Sequence, residues 1–296
     1  MIVIIGPTAA GKSAKAMELA PTRNGEIISA DSRHVYRGMD IGTNKPTPGE
    51  QRLVSHHLID IRDPHEAFSL AEYVALARDA IRDVALRGKT PMLVGGTGQY
   101  VRALLEGWQV PQVAPNENLR ERWLEFAKLR GEDALFAELI QRDPDAARMI
   151  DKRNFRRVVR ALEVMEVTGE RWSALQKREP PRDEIEMVYL NLPREVLYAK
   201  VDARLIDMVK QGWLNEVEQL LGRLHARGID AETALKLPSM SSLGYREMIQ
   251  VARGEMSLDE AIERIKRETR RFIRMQDTWF RKLAERFGSK PTMLSS

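Results

Sequence analysis

The chain has no cysteine among its 296 residues, which excludes disulfides and any cysteine-ligated zinc site and fits a reducing compartment. It also lacks any apolar run near the ~20 residues that a membrane helix needs. The short apolar start, Met1 to Ile5, has no basic leader before it and is expected to be a buried strand. A cytoplasmic protein with no membrane association is the expectation. A converging metal-ligand set is missing too: His56 and His57 have no third candidate at suitable spacing and are expected to be structural. Net charge is only +4, from 47 basic and 43 acidic residues, so bulk charge assigns no partner.

With 43% hydrophobic and 30% charged residues the chain has the composition of a globular protein, and its length allows about two domains. Short apolar runs alternate with helical patterns in the first third. MIVIIG opens the chain; EIISAD (Glu26 to Asp31), HLIDI (His57 to Ile61) and PMLVGG (Pro91 to Gly96) read as further strands, with Leu70 to Leu86 strongly helix-periodic. The predicted class is α/β, a parallel sheet flanked by helices. After Trp108 a connector rich in Pro and Asn leads into purely helical periodicity from Leu119 to about Gln176. Residues 111–184 are therefore expected to be an inserted all-α subdomain, with 1–110 and 185–296 as the core domain. KREPPRDEIE (Lys177 to Glu186) marks the exit and MVYLNL (Met187 to Leu192) a returning strand.

Gly6, Pro7, Thr8, Ala9, Ala10, Gly11, Lys12 and Ser13 spell a P-loop, G-x-x-x-x-G-K-[ST], between an apolar strand and a helix. Its backbone N–H groups and helix start suit a di- or triphosphate, Lys12 adds a point charge, and the Ser13 hydroxyl can hold Mg²⁺. The motif leaves the reaction open, because kinases, ATPases and diphosphate-releasing transferases all use it. Asp31 ends the second strand at the edge where open α/β sheets bind ligands. It can serve as a general base, as a Mg²⁺ ligand or as a turn cap. Gly95, Gly96, Thr97 and Gly98 follow the fourth strand, where many ATPases place an acid; none is present. Thr97 can hydrogen-bond a phosphate or an amine there. His34 is read as a polar loop residue rather than a catalyst.

Arg153, Arg156, Arg157 and Arg160 fall at helical spacing on one face with no acid between them, a plausible phosphate-binding stripe. Arg267, Arg270, Arg271 and Arg274 repeat the spacing near Phe272, Trp279 and Phe280, although Glu263, Glu268 and Asp277 are available to pair with them. Gly244, Tyr245 and Arg246 read as a loop that presents an aromatic ring for base stacking.

Taken together, GPTAAGKS, DSRHVYRGMDIGTNKP (Asp31 to Pro46), HHLIDIRDP (His56 to Pro64), LVGGTGQYVRALLEG (Leu93 to Gly107), RVVRALEV (Arg157 to Val164), LGYREM (Leu243 to Met248) and TWFRK (Thr278 to Lys282) resemble the bacterial tRNA dimethylallyltransferases, or tRNA isopentenyltransferases. The resemblance spans nearly the whole chain and implies a P-loop NTPase-like fold and a monomer. It implies transfer of a dimethylallyl group from dimethylallyl diphosphate to the exocyclic amine of adenosine 37, just 3′ of the anticodon, in tRNAs reading codons that begin with U. Asp31 matches the family's base, Arg204 its diphosphate-binding arginine, and Thr97 a residue beside the acceptor nucleotide; Mg²⁺ is the implied cofactor. The tRNA anticodon stem-loop is expected to meet Asp31, Ser32, Arg33, His34, Thr97, the arginine face of the insertion and Gly244 to Arg246, with the target base flipped into a channel. Ser241 and Met275 depart from the family's usual residues. The competing readings are an ATP-dependent small-molecule or nucleotide kinase and an RNA-binding regulator with a nucleotide switch.

Overall fold

The computed structural model describes residues 1–181, 184–288 and 291–293. Strand β1 (Ile2–Ile5) is buried along its whole length, as its unbroken apolar run requires. The P-loop leads into α1 (Lys12–Thr22), and β2 (Gly25–Ser29) follows. Next come α2 (Pro48–Leu53), β3 (His56–His57), α3 (Leu70–Leu86), β4 (Thr90–Val94) and α4 (Gly98–Leu105). Helices α2 and α3 each begin with a capping box, Thr47 with Glu50 and Ser69 with Glu72, which satisfies backbone donors at both starts.

The chain divides into two compact units, Leu105–Pro181 and the remainder. The smaller unit holds α5 (Glu117–Arg130), α6 (Glu132–Arg142), α7 (Pro144–Met149) and α8 (Phe155–Thr168). Helix α8 buries Val158, Val159, Leu162 and Met165 in a core that includes Trp123, Leu135 and Leu139. Truncating Leu162 to Ala there would cost about 2–5 kcal/mol. The unit's entry and exit segments meet in an antiparallel bridge: Gln109 N–H donates to the Lys177 carbonyl and Glu179 N–H to the Gly107 carbonyl, 2.9 and 2.8 Å. Of the exit segment 177–186, residues 182 and 183 lie outside the described residues.

The larger unit resumes with β5 (Glu186–Asn191), α9 (Arg194–Lys210), α10 (Trp213–His225), α11 (Ala231–Ala234), α12 (Tyr245–Ala252), α13 (Leu258–Arg286) and the short edge strand β6 (Pro291–Met293). The sheet has the order β3-β2-β4-β1-β5-β6 with every pair parallel. Because β2, β4 and β1 are neighbours, the loops that leave their carboxyl ends must also be neighbours, which is how the fold assembles a ligand site.

One expected strand is mostly absent. HLIDI pairs with the sheet only through His57, alongside His56, because Leu58 and Asp60 take φ values of 64° and 56°, which a strand cannot hold. The segment instead braces the loop after β2: Asp60 N–H donates to the His34 carbonyl, and Ile61 and Arg62 N–H both donate to that of Val35. The side chain of Lys45, only 2% exposed, locks this arrangement with bonds of 2.6 Å to both Asp40 and Asp60. His57 is structural, with Nε2 2.7 Å from Glu26, a buried carboxylate that Arg87 and Lys89 also hold. Among the described residues no helix is long and apolar enough to cross a membrane.

Candidate active site

The three loops converge on a cavity of about 1180 Å³ lined by the P-loop, the loop after β2, the glycine turn after β4, one face of α9 and one face of α13. In the P-loop, Ala9 and Gly11 have φ values of 66° and 89°, left-handed turns that curl the backbone into a cradle. Lys12 Nζ donates to the carbonyls of Gly6 and Pro7 at 3.0 and 2.9 Å. Burial pushes the Lys12 ammonium down to about 8, against the opposing pull of Asp31, and Arg204 adds to the lowering. Ser13 is exposed at the start of α1 and lines the cavity.

Asp31 lies two residues past the end of β2 and faces the same cavity. Its Oδ1 accepts the Arg33 N–H at 2.9 Å, an Asx turn that fixes the carboxylate's direction. Thr97 Oγ1 accepts the Ser32 N–H at 2.9 Å, while Thr97 N–H donates to the Ala30 carbonyl at 3.0 Å, so the glycine turn holds the backbone on both sides of Asp31. Both ring nitrogens of His34 are spent inside the loop, 3.2 Å from Ser29 Oγ and 3.3 Å from the Thr43 carbonyl. Arg33 lines the cavity and donates to the Pro238 carbonyl.

Helix α9 turns Val201, Arg204, Leu205 and Met208 toward the cavity, the i, i+3, i+4 and i+7 positions of one face. Arg204 has no hydrogen-bond or ion-pair partner among the described residues, and burial lowers its pKa. The lining carries one carboxylate, Asp31, among Lys12, Arg33, Arg204, Arg271, Arg274 and Lys282. Such a cavity favours a highly charged anion and leaves one base for proton transfer.

Several sequence expectations change. Tyr245 is not a loop ring offered to a base: it is 1% exposed, starts α12 and donates from its hydroxyl to Glu216 at 2.6 Å. Its neighbour Gly244 caps that helix, and Glu247 reaches back to the Gly244 N–H at 2.8 Å while also pairing with Arg246. Glu216 further accepts the N–H groups of Asp40, Ile41 and Gly42, so this cluster supports the loop after β2 from behind.

The arginine stripe of the insertion is also narrower than its spacing suggests. Arg153 precedes the N-cap Asn154 and forks onto Asp151 instead of joining the helix. Arg160 neutralises the buried Glu163 at 2.6 Å and donates to the Val113 carbonyl. Arg156 and Arg157 are exposed on this helix, and Arg157 lies over the Trp172 ring. On α13, Arg270 pairs with Asp202 and not with the acids close to it in sequence, whereas Arg271 and Arg274 reach the cavity. Met275 also lines it and is 60% exposed.

Sequence reasoning missed Gln276. Its Oε1 accepts both the Thr8 N–H and the Thr8 hydroxyl, at 2.9 and 3.0 Å, and its Nε2 donates to the Gly96 carbonyl at 2.9 Å. The helical spacing of Arg271, Arg274, Thr278 and Lys282 marks a lining face, but nothing in it singles out an amide.

Residues 34–283 match the family model described as IPP transferase. A tRNA dimethylallyltransferase of Roseiflexus sp. (strain RS-1) is 51% identical over 283 residues, 96% of this chain and 90% of the relative. One from Herpetosiphon aurantiacus is 49% identical over 97% of this chain and 88% of its own length. Among solved structures, the full-length tRNA isopentenylpyrophosphate transferase of Bacillus halodurans is 40% identical, covering 95% of this chain and 86% of its own, with a TM-score of 0.65. A eukaryotic dimethylallyltransferase acting on tRNA is 28% identical with a TM-score of 0.81, covering 99% and 73% of the two chains.

Proposed function

This chain belongs to the IPP transferase family, and we propose that it is a tRNA dimethylallyltransferase that moves the dimethylallyl group of dimethylallyl diphosphate onto the exocyclic amine of adenosine 37 in tRNA. The observation that carries the reading is a P-loop cavity in which Asp31 is the one carboxylate among basic residues. The amine nitrogen attacks the allylic carbon, the carbon–oxygen bond breaks, and diphosphate leaves with the electron pair. Asp31 takes the proton that the amine loses, which an aromatic amine, a poor nucleophile, needs. Lys12, Arg204 and the P-loop amides hold the departing anion where its charge develops.

The hard oxygen donors available, the Ser13 hydroxyl and the donor's own phosphates with Asp31 nearby, suit Mg²⁺, which is commonly held by few protein ligands plus phosphate. When bound it supplies charge neutralisation to the leaving group. The cavity residues Arg271, Arg274 and Lys282 offer cations to the tRNA backbone, and Arg156 and Arg157 are separate candidates on the helical unit. No acid follows the glycine turn, and the relatives described above transfer prenyl groups, so a kinase reading has no support from either side.

The test is mass spectrometry of unmodified tRNA incubated with the protein, Mg²⁺ and dimethylallyl diphosphate or, separately, ATP. A prenyl mass gain on one adenosine with the first donor and none with ATP is expected; phosphoryl transfer from ATP with no gain on tRNA overturns the reading. Asp31→Asn keeps an acceptor for the Arg33 N–H and loses the base, so turnover should fall by roughly 10²–10⁴-fold with donor binding retained.

A further inference from the structure

Gln276 is 7% exposed, sits on α13, and joins two segments far from it in sequence. At one end it takes both donors of Thr8 in the P-loop; at the other it donates to the Gly96 carbonyl in the glycine turn. The next residue, Thr97, holds the Ser32 N–H and the Ala30 carbonyl, which flank Asp31. Hydrogen bonds, joined by the Gly96–Thr97 peptide bond, therefore lead from the loop that would cradle the donor's phosphates, through one side-chain amide, to the backbone that aims the base.

We infer that Gln276 is a positioning residue that fixes the P-loop against the glycine turn and thereby sets the approach of donor carbon, acceptor nitrogen and Asp31. This inference rests on the prenyl-transfer reading. The donor is held from the P-loop and the base from the turn, so their separation is determined by what joins the two. Small errors in such alignment are expensive, a misplacement of about 1 Å costing up to ~10²-fold in rate.

The side chain must also be neutral. A Cβ placed on Gly96 would lie 3.0 Å from Gln276 Nε2 and 3.7 Å from Lys12 Nζ, so the amide and the ammonium share one small region. A carboxylate at 276 would compete with the donor's phosphates for Lys12, and it would also set an acceptor against the Gly96 carbonyl. An amide accepts from Thr8, donates to Gly96 and places no negative charge beside Lys12.

The two requirements have different kinetic signatures. Gln276→Leu removes the clamp without adding charge: kcat should fall by about 10- to 100-fold while the dissociation constant for dimethylallyl diphosphate stays within about threefold. Gln276→Glu should weaken donor binding by about tenfold or more. Gln276→Asn keeps the amide but is one methylene too short to span both partners, and it should behave like the Leu variant; it serves if that variant does not fold. Full-length variants are assayed for single-turnover transfer, donor binding and melting temperature beside the wild type. The inference is overturned if the Leu and Asn variants keep kcat within about twofold, if their loss of rate only follows loss of donor affinity, or if melting temperature alone drops. A wild type that transfers no prenyl group sinks the underlying reading instead.

Discussion

The Thr97 hydroxyl accepts the Ser32 N–H at 2.9 Å, and its own proton remains available to a partner in the cavity. One side chain thus both steadies the backbone beside Asp31 and lines the cavity. Thr97→Val keeps the shape and removes both functions, and it should lower kcat by about tenfold, whereas Thr97→Ser should restore most of it. Steady-state kinetics of the two variants decide the matter; equal rates for Val and Ser would leave Thr97 without a role in turnover.

Donor binding should weaken in mildly alkaline solution. Burial holds Lys12 at about 8, so the ammonium is charged below that pH and loses its proton above it. A diphosphate prefers the charged form, so affinity is fully present below pH 8 and falls by up to about tenfold per pH unit above it. The stability of the free protein responds in the opposite sense. An unfolded lysine binds more protons between about 8 and 10.4, so this group's contribution to stability rises across that window. Calorimetric titration of the donor from pH 6.5 to 9.5 tests the first statement, and a flat affinity would remove Lys12 from the binding step.

Arg204 is a largely desolvated guanidinium without a partner among the described residues, a state that costs the free protein stability and is relieved by an anion. Arg204→Leu should leave the melting temperature unchanged or raise it, and it should abolish most of the upward shift that diphosphate produces in the wild type. A variant that melts lower yet keeps the shift would mean that the arginine braces the fold.

Within the helical unit the arginines divide by environment. Replacing Arg156 and Arg157 with Ala should weaken tRNA binding and flatten its salt dependence, by about 0.7–0.9 in log–log slope for each phosphate that is no longer neutralised. Arg160→Ala should act on stability, roughly 1–3 kcal/mol, because it strips a hydrogen bond from the buried Glu163. Filter binding at several salt concentrations, paired with denaturant melts, separates the two classes.

The P-loop and the buried strands were legible in the sequence because short-range pattern and chemistry coincide there: an apolar run, two glycines, a lysine and a serine allow few other structures. Asp31 and Thr97 could be found from their places at strand ends. The glycine before Tyr245 suggests a loop; Glu247, three residues after Gly244, is the helix-start signal that outweighs it. The arginine spacing alone does not show that Glu163, one turn beyond Arg160, is buried and takes that arginine as its partner. Gln276 has no local signal at all. Its importance comes from two partners 268 and 180 residues away, a relationship that only the folded chain creates.

The antiparallel bridge between residues 107–109 and 177–179 brings the entry and exit of the helical unit together. Seen from the sheet, everything between them is one closed loop, and lengthening a closed loop adds little entropy, about 0.6 kcal/mol for each doubling. A change of length inside the unit therefore costs little, while the register of β4, β1 and β5 stays as it is.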